Sequence, residues 1–482
     1  MSDDIDAVVI GSGPNGLAAA VELARNGASV LVLEGAPTIG GGTRSAALTL
    51  PGFLHDVCSA AHPLAVDSPY LATLPLDEHG LQWAFPRVSV AHPLDGQPAV
   101  LLELGVDDTA AGLDVDSGAY RLLMRPLVRG ARKILADVLG PLVRVPKHPL
   151  ALAGFGPFAV APAALLGRVA FRGERARALL AGCAAHGILP LERPGTGAFG
   201  LLFLMAGHLH PWPVARGGSQ AIGNALAAYL ASLGGHVHSD SPVRALDDLP
   251  PARVYLFDTG PRQLASIAGS VLPASFLGHL RRYRYGPGIF KIDWALDGPI
   301  PWRDAHCLEA STVHIGGTLD EIAAGEAAVW RGQHPERPYV LMVQASQFDG
   351  SRAPAGKHTG WAYTHVPAGS TVDRTDVIER QVERFAPGFR DRILDRHVMN
   401  AEDVERYNPN DVGGAITGGS ANLVQLLARP APRIDPYSTP HPQIFMCSAA
   451  TPPGGGVHGM CGYHAARSAL RRLATLERRR PS

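Results

Sequence analysis

The first forty residues contain two short apolar runs on either side of a helical pattern. Residues 7–10 have the length and composition of a buried strand, and residues 17–24 are apolar on nearly all sides, as in a helix packed against a sheet. Gly27 predicts the end of that helix, and residues 29–33 predict a second strand that ends at Glu34. The pattern predicts a strand, a tight turn, a helix and a parallel strand, in that order.

The turn between the first strand and the helix has the spacing G-x-G-x-x-G. Gly11 permits the tight turn, Gly13 lets a pyrophosphate approach the backbone, and Gly16 lets the helix pack closely on the strand. Glu34, 18 residues beyond Gly16, stands where a carboxylate accepts both hydroxyls of an adenosine ribose. Together these features predict a dinucleotide site. The six residues of the turn are Gly11, Ser12, Gly13, Pro14, Asn15 and Gly16.

A second glycine-rich loop, residues 40–45, comes directly after the second strand. It contains Gly41, Gly42 and Arg44, so an arginine and a flexible backbone are expected to meet the same pyrophosphate. Rossmann folds that bind only NAD do not usually need such a loop. We therefore predict FAD as the cofactor, and the alternative interpretation is a flexible surface loop.

Later parts of the chain predict further elements of the same sheet. Residues 220–230 have helical spacing, and residues 254–257 have the pattern of a buried strand. Short strands are predicted at 236–238 and 243–246. Each of these elements suits a sheet with helices on both faces.

Three consecutive glycines, residues 454–456, lie between a strand predicted at 443–447 and a helix predicted from about Tyr463. Such a run is costly in a folded chain unless something must approach the backbone closely. A helix N-terminus aimed at a flavin stabilises the negative charge that the ring acquires on reduction. The alternative interpretation is a mobile glycine-rich linker.

These stretches together resemble the flavin-dependent superfamily of amine oxidases and phytoene desaturases, and most closely its phytoene-desaturase-type branch. The matching stretches are 11–44, 215–246 and 437–470. The resemblance implies that the main chain at Val243 meets the adenine of FAD. It also implies that Gly11, Gly13, Gly16, Glu34, Gly41, Gly42 and Arg44 hold the adenosine and diphosphate, and that Gly455, Gly456, Val457 and His458 lie against the flavin.

The predicted fold is α/β, with a Rossmann-like FAD-binding domain assembled from discontinuous segments of the chain. Residues 1–65, 212–265 and 435–482 form this domain. Residues 66–211 and 266–434 form an α+β substrate-binding domain with a mixed or antiparallel sheet and helices. The length of 482 residues is ample for both.

Two residues are candidates for a catalytic role. Residues 290–296 alternate, with large apolar side chains on one face and Lys291 and Asp293 on the other. Lys291 is a candidate for steering water or oxygen near the flavin, as a lysine does in some amine oxidases. A solvent-facing lysine paired with Asp293 is the favoured interpretation. His458 is the preferred polar neighbour of the reacting carbon.

Other motifs receive no functional role. The five cysteines form no C-x-x-C, which argues against a disulfide reductase and a clustered zinc site. His208 and His210, like His236 and His238, are predicted on one side of an extended strand, but no partner cluster is near them and no metal site is predicted. The G-x-G-x-x-A at 154–159 is interrupted by prolines and does not predict an NAD domain.

Positive and negative charges balance overall, with 43 Lys and Arg against 43 Asp and Glu, so no global field favours nucleic acid. Locally, residues 95–118 are acidic, whereas residues 119–180 are basic and rich in apolar residues. The spacing of Arg121, Arg125 and Arg129 predicts a basic amphipathic helix. Peripheral membrane contact through 119–180 is thus one interpretation, and solvated helix faces are the slightly favoured alternative.

The acidic start of the chain and the absence of an apolar run of transmembrane length predict a cytoplasmic protein. The predicted function is that of an FAD-dependent oxidoreductase of the desaturase or dehydrogenase type, which moves hydride from an apolar, isoprenoid-like or alkyl substrate to flavin N5. Oxygen or a diffusible quinone is the expected electron acceptor. The alternatives are a flavin amine oxidase and a non-catalytic binding or regulatory protein that keeps the fold.

Overall fold

The computed structural model describes residues 5–477, which form two large sheets with helices packed around them. The strands are β1 (Ile5–Ile10), β2 (Val30–Leu33), β3 (Ser45–Ala46), β4 (His55–Asp56), β5 (Trp83–Ala84), β6 (Val88–Leu94), β7 (Gln97–Glu103), β8 (Val214–Ala215), β9 (His236–His238), β10 (Ala252–Phe257), β11 (Gly288–Leu296), β12 (Ala310–Ile315), β13 (Val340–Val343), β14 (His358–Val366), β15 (Ile393–Met399) and β16 (Ile444–Met446).

The helices lie on both sides of each of the two sheets. They are α1 (Pro14–Arg25), α2 (Pro63–Val66), α3 (Val106–Ala111), α4 (Ser117–Val138), α5 (Pro149–Val160), α6 (Ala163–Ala170), α7 (Glu174–Ala185), α8 (Thr196–Leu209), α9 (Gln220–Ser232), α10 (Pro261–Ile267), α11 (Ala274–Arg281), α12 (Leu319–Trp330), α13 (Thr375–Phe385), α14 (Ala401–Tyr407), α15 (Leu423–Ala428) and α16 (Met460–Glu477).

The first sheet is parallel throughout, with the strand order β16-β10-β1-β2-β9. Helices α1, α9 and α16 share one core with β1 and β2, and the side chains of α10 and α11 pack on the other face. Both faces of a parallel sheet are covered, which is why its strands are continuous apolar runs rather than alternating ones. The strand, turn, helix and strand predicted for residues 7–34 are confirmed.

The second sheet is mixed, with the order β15-β11-β14-β13-β12-β6-β7, and only the β6–β12 pair is parallel. One face carries Ile292 and Trp294 and packs into a core with α13. The opposite face carries Trp361 and Tyr363 and turns toward the first sheet. The predicted α/β fold with a Rossmann-like sheet and a second, mixed sheet is confirmed.

The five parallel strands come from three stretches of the chain, 5–33, 236–257 and 444–446. Residues 1–4 and 478–482 of the predicted FAD-binding domain, and the acidic start of the chain, lie outside the described residues. The exact domain boundaries stay a prediction.

Two local predictions are wrong, and one helix begins slightly earlier than predicted. The predicted strand at 243–246 is irregular chain, because the backbone N–H groups of Arg244 and Ala245 donate to the Asp248 carboxylate and not to a neighbouring strand. His208 lies at the last turn of helix α8 rather than on a strand, where its Nε2 bonds the Tyr120 hydroxyl at 2.7 Å. The helix predicted from about Tyr463 is confirmed as α16, which begins at Met460.

No single helix between residues 5 and 477 has both the length and the apolar composition of a membrane span. Among these residues, only α5 and α6 taken together have that length and composition, and the two helices are bent by 101° relative to each other.

Candidate functional site

A cavity of about 1150 Å³ extends from the carboxyl edge of the parallel sheet to the Trp361 face of the mixed sheet. Parallel strands end at the same edge, so the residues after β1, β2 and β10 converge there. Two predicted site residues, Gly16 and Lys291, are not part of its lining. The predicted residues that line it are Gly11, Gly13, Pro14, Asn15, Glu34, Gly41, Gly42, Arg44, Val243, Gly455, Gly456, Val457 and His458.

Gly16 lies beneath the turn and contacts protein. A Cβ at this position would stand 2.2 Å from the Gly11 carbonyl oxygen, so only glycine fits. The backbone N–H of Gly16 donates to the Asp258 carboxyl at 2.9 Å. A Cβ on Gly13 would stand 2.6 Å from the same carboxyl oxygen. Asp258, which follows β10, therefore organises the turn from below.

Asp258 is a carboxyl group in an apolar environment. Burial raises its pKa well above the usual range, and the charge of Glu34 acts in the same direction, whereas the N–H groups of Gly16 and Gly13 oppose the shift. A raised pKa favours the uncharged carboxyl, which repels a phosphate group at the start of α1 less than a carboxylate would.

Glu34 follows β2 as predicted and is 8% exposed. Its carboxylate accepts hydrogen bonds from the N–H of Ser12 at 2.9 Å and from the Ser12 hydroxyl at 2.6 Å. Arg44 pairs with the other carboxylate oxygen at 3.1 Å and donates to the Thr38 carbonyl at 2.9 Å. The arginine assigned to the pyrophosphate thus contacts the carboxylate assigned to the ribose, and this pair fixes the second glycine loop against the first.

Gly41 brings the two glycine loops into direct contact, whereas its neighbour Gly42 does not. A Cβ on Gly41 would stand 2.9 Å from the Cα of Gly13, and the positive φ of +52° at Gly41 disfavours other residues as well. Gly42 has neither constraint, since its nearest atom would be Cys58 Sγ at 3.9 Å. Gly42 lines the cavity, and packing against protein does not require a glycine at this position.

The C-terminal glycine loop approaches the same cavity before α16 begins. A Cβ on Gly455 would stand 2.7 Å from the Thr417 carbonyl oxygen. His458 is fully buried, and its Nδ1 accepts from the N–H of Met460 at 3.1 Å, while its Nε2 has no hydrogen-bond partner among the described residues. Burial lowers the pKa of His458 to about 4, so the imidazole is neutral at neutral pH.

Lys291 is buried, which contradicts the favoured prediction of a solvent-facing lysine. The alternation in β11 is as predicted, but both faces of the strand are covered, since Lys291 is 1% and Asp293 0% exposed. Lys291 forms an ion pair with Asp293, whose other neighbours are His55 Nδ1 and His397 Nδ1, each at 3.7 Å. Burial lowers the pKa of His55 to about 4, and Asp293 opposes that shift.

Lys291 borders a second, small cavity of about 10 Å³, which has room for about one water molecule. Gly42 and Cys58 line both cavities, so the small one adjoins the second glycine loop. Asp411 also lines both, and burial raises its pKa to about 7. Lys291 therefore does not reach the large cavity directly, because Gly42, Cys58 and Asp411 lie between the two cavities.

The mixed sheet presents one row of side chains to the large cavity. Thr312 pairs with Val343, and Val343 with Trp361, on three adjacent strands, so these side chains share a face. Thr312 Oγ1 and Trp361 Nε1 have no hydrogen-bond partner among the described residues. Both groups line the cavity and are capable of bonding to a polar group of a ligand.

The end of the cavity farthest from the glycine turns is apolar. The acidic residues that line the cavity, Glu34, Asp258 and Asp411, all lie at the dinucleotide end. The apolar end is formed by α5, α8, α15 and the mixed sheet. Its lining includes Leu142, Leu152, Phe155, Ala159, Val160, Phe199, Leu202, Phe203, Leu341, Val343, Leu423, Leu426 and Leu427.

The histidine pairs that resembled metal ligands are separated in space or exposed. His208 bonds Tyr120, whereas His210 Nδ1 contacts Asp67 at 3.0 Å. His236 and His238 lie on the exposed edge strand β9. Within residues 5–477, no group of three or more His, Cys, Asp and Glu side chains is arranged to hold a metal ion.

Sequence reasoning missed Asp258, Trp361 and the α15 segment. Asp258 had a usable signal, because a polar residue that directly follows a buried parallel strand lies at the carboxyl edge of the sheet. Trp361 and α15 carry no such sequence signal, because the residues that line an apolar cavity are of the same types as those in a hydrophobic core.

Comparison with known proteins supports the fold. Residues 9–74 match the family model described as NAD(P)-binding Rossmann-like domain. Mouse pyridine nucleotide-disulfide oxidoreductase domain-containing protein 2 is 26% identical, over 99% of this chain and 95% of the mouse protein.

Two solved structures are similar over nearly their whole length. An oxidoreductase from Methanosarcina mazei has a TM-score of 0.64 at 17% identity, covering 97% of this chain and 100% of that one. A triple mutant of putrescine oxidase, made in a structure-based redesign of cofactor binding, has a TM-score of 0.63 at 17% identity, covering 98% of this chain and 99% of that one. The chain therefore has the fold of these two solved structures, and its residues 9–74 match the Rossmann-like family model.

Proposed function

We propose that this protein is an FAD-dependent oxidoreductase of the desaturase or dehydrogenase type, which removes hydride from an apolar, isoprenoid-like or alkyl substrate. One observation carries the proposal. A single cavity joins a dinucleotide end, built from three glycine-rich segments, to an end whose lining is apolar and contains no acidic residue. A cofactor and an apolar substrate would meet inside it.

The residues present fit FAD. Gly42 lines the cavity although packing against protein does not require a glycine there, and the cavity exceeds the usual 300–1000 Å³ of a pocket for one small ligand. The start of α1, Glu34 and Arg44 would hold the adenosine and diphosphate, with Val243 at the adenine. The loop from Gly455 to His458 would lie against the flavin. When bound, FAD supplies the atom that accepts hydride.

The chain itself excludes water and positions polar groups. Aromatic and aliphatic side chains from the mixed sheet, α8 and α15 enclose the substrate end. His458, neutral and with Nε2 unpartnered, is the proposed polar neighbour of the reacting carbon. Lys291, beside a cavity that holds about one water, is the proposed residue that orients water or oxygen. Oxygen or a diffusible quinone is the proposed acceptor of the electrons.

An amine oxidase is the second candidate. Trp361 and Tyr363 lie edge to face, with ring centres 5.3 Å apart, and both line the cavity. Aromatic faces attract organic cations, and the structural neighbour putrescine oxidase has the same fold. The lack of an acidic residue at the apolar end favours the apolar substrate. The third candidate is a binding or regulatory protein that has this fold but catalyses no reaction.

The test is to purify the protein and to measure flavin recovered by acid extraction, then to follow flavin bleaching without oxygen. Carotenoid precursors, long-chain alkyl compounds and amines form the panel. Bleaching by an apolar compound is expected. Bleaching by amines alone would establish the second candidate, and protein that neither contains nor rebinds FAD would refute both enzymes. Reoxidation by air or by a quinone then identifies the acceptor.

A further inference from the structure

Helix α5 and the loop before it expose an unusual number of large apolar side chains. Leu150 is 88% exposed and Val145 91%, and the twelve residues of α5 include no charged residue. A helix that is apolar on all sides is normally buried. The exposed apolar residues of this segment are Leu142, Val143, Val145, Leu150, Phe158 and Val160.

Helix α15 continues this apolar surface. Val424 is 80% and Leu427 53% exposed. Gly195 connects the two helices, because its N–H donates to the Val160 carbonyl at 2.8 Å and a Cβ on it would stand 2.7 Å from Leu423 Cδ2. We call the exposed apolar residues of 142–160 and α15 the apolar face.

The apolar face surrounds one end of the large cavity. The inward side of α5 lines the cavity with Leu152, Phe155 and Ala159, and α15 lines it with Leu423 and Leu426. The same two helices therefore present apolar side chains both to the cavity and to the outside. An apolar molecule crossing between them would not meet a charged side chain of either helix.

Cations border this face, and their partners differ along α4. In the first half of α4, Arg121 and Arg125 both pair with Asp107. In the second half, Arg129, Arg132 and Lys133 are exposed and, within residues 5–477, form no ion pair. Gly130 lies beside α5, since a Cβ there would stand 3.9 Å from Ala151 Cβ. Three cations without an ion pair in the described chain therefore lie on the half of α4 that packs beside α5.

We propose that the apolar face docks onto the surface of an anionic lipid bilayer, with Arg129, Arg132 and Lys133 at the headgroups. Apolar side chains that enter the boundary of the acyl chains, bordered by unpaired cations, are the features that hold an amphipathic surface in the membrane interface. Exposed arginine and lysine stems reach the headgroup level while the apolar residues lie deeper. Entry of an apolar substrate from the bilayer into the cavity rests on the proposed function, but the docking itself does not.

The experiment is sedimentation of the purified full chain with vesicles of phosphatidylcholine mixed with phosphatidylglycerol, and with pure phosphatidylcholine vesicles. Binding to the anionic vesicles is expected, with weaker binding to neutral ones and weaker binding at high salt. Leu150→Glu is expected to weaken binding about tenfold or more, because a buried leucine side chain is lost and a like charge is added. Lys133→Glu is expected to weaken it as well.

Leu122→Glu is the matched control, because Leu122 is 81% exposed on α4 but lies in the half whose arginines pair with Asp107. It is expected to bind vesicles as the unchanged protein does. Equal loss in Leu122→Glu and Leu150→Glu, or no binding to anionic vesicles, would overturn the proposal. So would a protein dimer that Leu150→Glu separates, since the face would then join two copies. Vesicle binding does not require flavin. A variant that contains little flavin but still binds vesicles would therefore support membrane docking even if the proposed function were wrong.

Discussion

The carboxyl group of Asp258 accepts a hydrogen bond at 2.9 Å from the backbone N–H of Gly16, 242 residues earlier in the chain. Asp258→Ala leaves this buried N–H without a partner, which typically costs about 1–3 kcal/mol. We expect a lower free energy of unfolding in urea and lower FAD content. Asp258→Asn keeps an acceptor of the same shape and is expected to retain both. Equal losses in the two variants would show that a carboxyl group, not an acceptor, is required.

Gly42 tests the space assigned to the cofactor. Gly42→Leu is expected to lower FAD content strongly, because the leucine adds bulk to the cavity lining, while thermal unfolding of the flavin-free protein changes little. Gly350→Leu is the matched control, since Gly350 also lies in a short 3₁₀ turn and a Cβ there meets no atom within 4 Å. Full FAD content in Gly42→Leu would remove this loop from the cofactor site.

Lys291 and Asp293 form a buried ion pair. We expect the loss of one charge to lower the free energy of unfolding strongly and the loss of both charges to lower it much less. Lys291→Met leaves the Asp293 carboxylate buried without its ammonium partner, and breaking such a pair costs about 3–5 kcal/mol. The double variant Lys291→Met with Asp293→Asn removes both charges and should recover most of that loss. Urea unfolding measures both. A double variant no more stable than Lys291→Met would show that the charge pair is not the source of the loss.

Buried histidines predict a steep loss of stability in mild acid. Burial lowers the pKa of His62, His92 and His208 to about 4, and that of His186 to about 3. Between the usual pKa near 6.5 and these values, the unfolded chain binds protons that the folded chain does not. The stabilisation is therefore present above about pH 6.5 and is lost as the pH falls toward 4. Asp411, with its raised pKa, acts in the opposite direction and loses its contribution as the pH rises through about 7.

His92→Gln isolates one of these protons. His92 Nε2 bonds the Gly317 carbonyl at 2.7 Å, and His314 and Glu321 are its titratable neighbours. The slope of the free energy of unfolding against pH, between pH 6 and 5, should fall by about 1.4 kcal/mol per pH unit, the value for one proton. His236→Gln, at an exposed position, is the control and should keep the slope of the unchanged protein.

The sequence predicts the dinucleotide end well because its elements are local. Gly11, Gly13 and Glu34 belong to one strand-turn-helix-strand unit, whose order along the chain is also its order in space. Asp258 belongs to that unit in space but not along the chain, and no periodicity connects it to Gly16. Local patterns therefore find the turn and miss the residue that supports it.

Lys291 shows a second limit. Alternation in β11 correctly separates its two faces, but it does not tell which faces are covered. The position of β11 between β14 and β15, with the cavity wall on one side, buries both. The strand predicted at 243–246 is absent for a different reason, since the Asp248 carboxylate accepts the backbone N–H groups of Arg244 and Ala245 that a ladder would require.

The contact between α1 and α16 has a consequence for the time course of synthesis. A Cβ on Gly462 would stand 1.9 Å from the Asn15 carbonyl oxygen, so the first and last helices touch backbone to backbone. Strand β1 and helix α1 leave the ribosome long before β16 and α16 do. The dinucleotide half thus has an open sheet edge at β10 and an uncovered helix α1 until β16 and α16 are made. During that interval a chaperone, or the cofactor itself, has the opportunity to protect the nascent protein from aggregation.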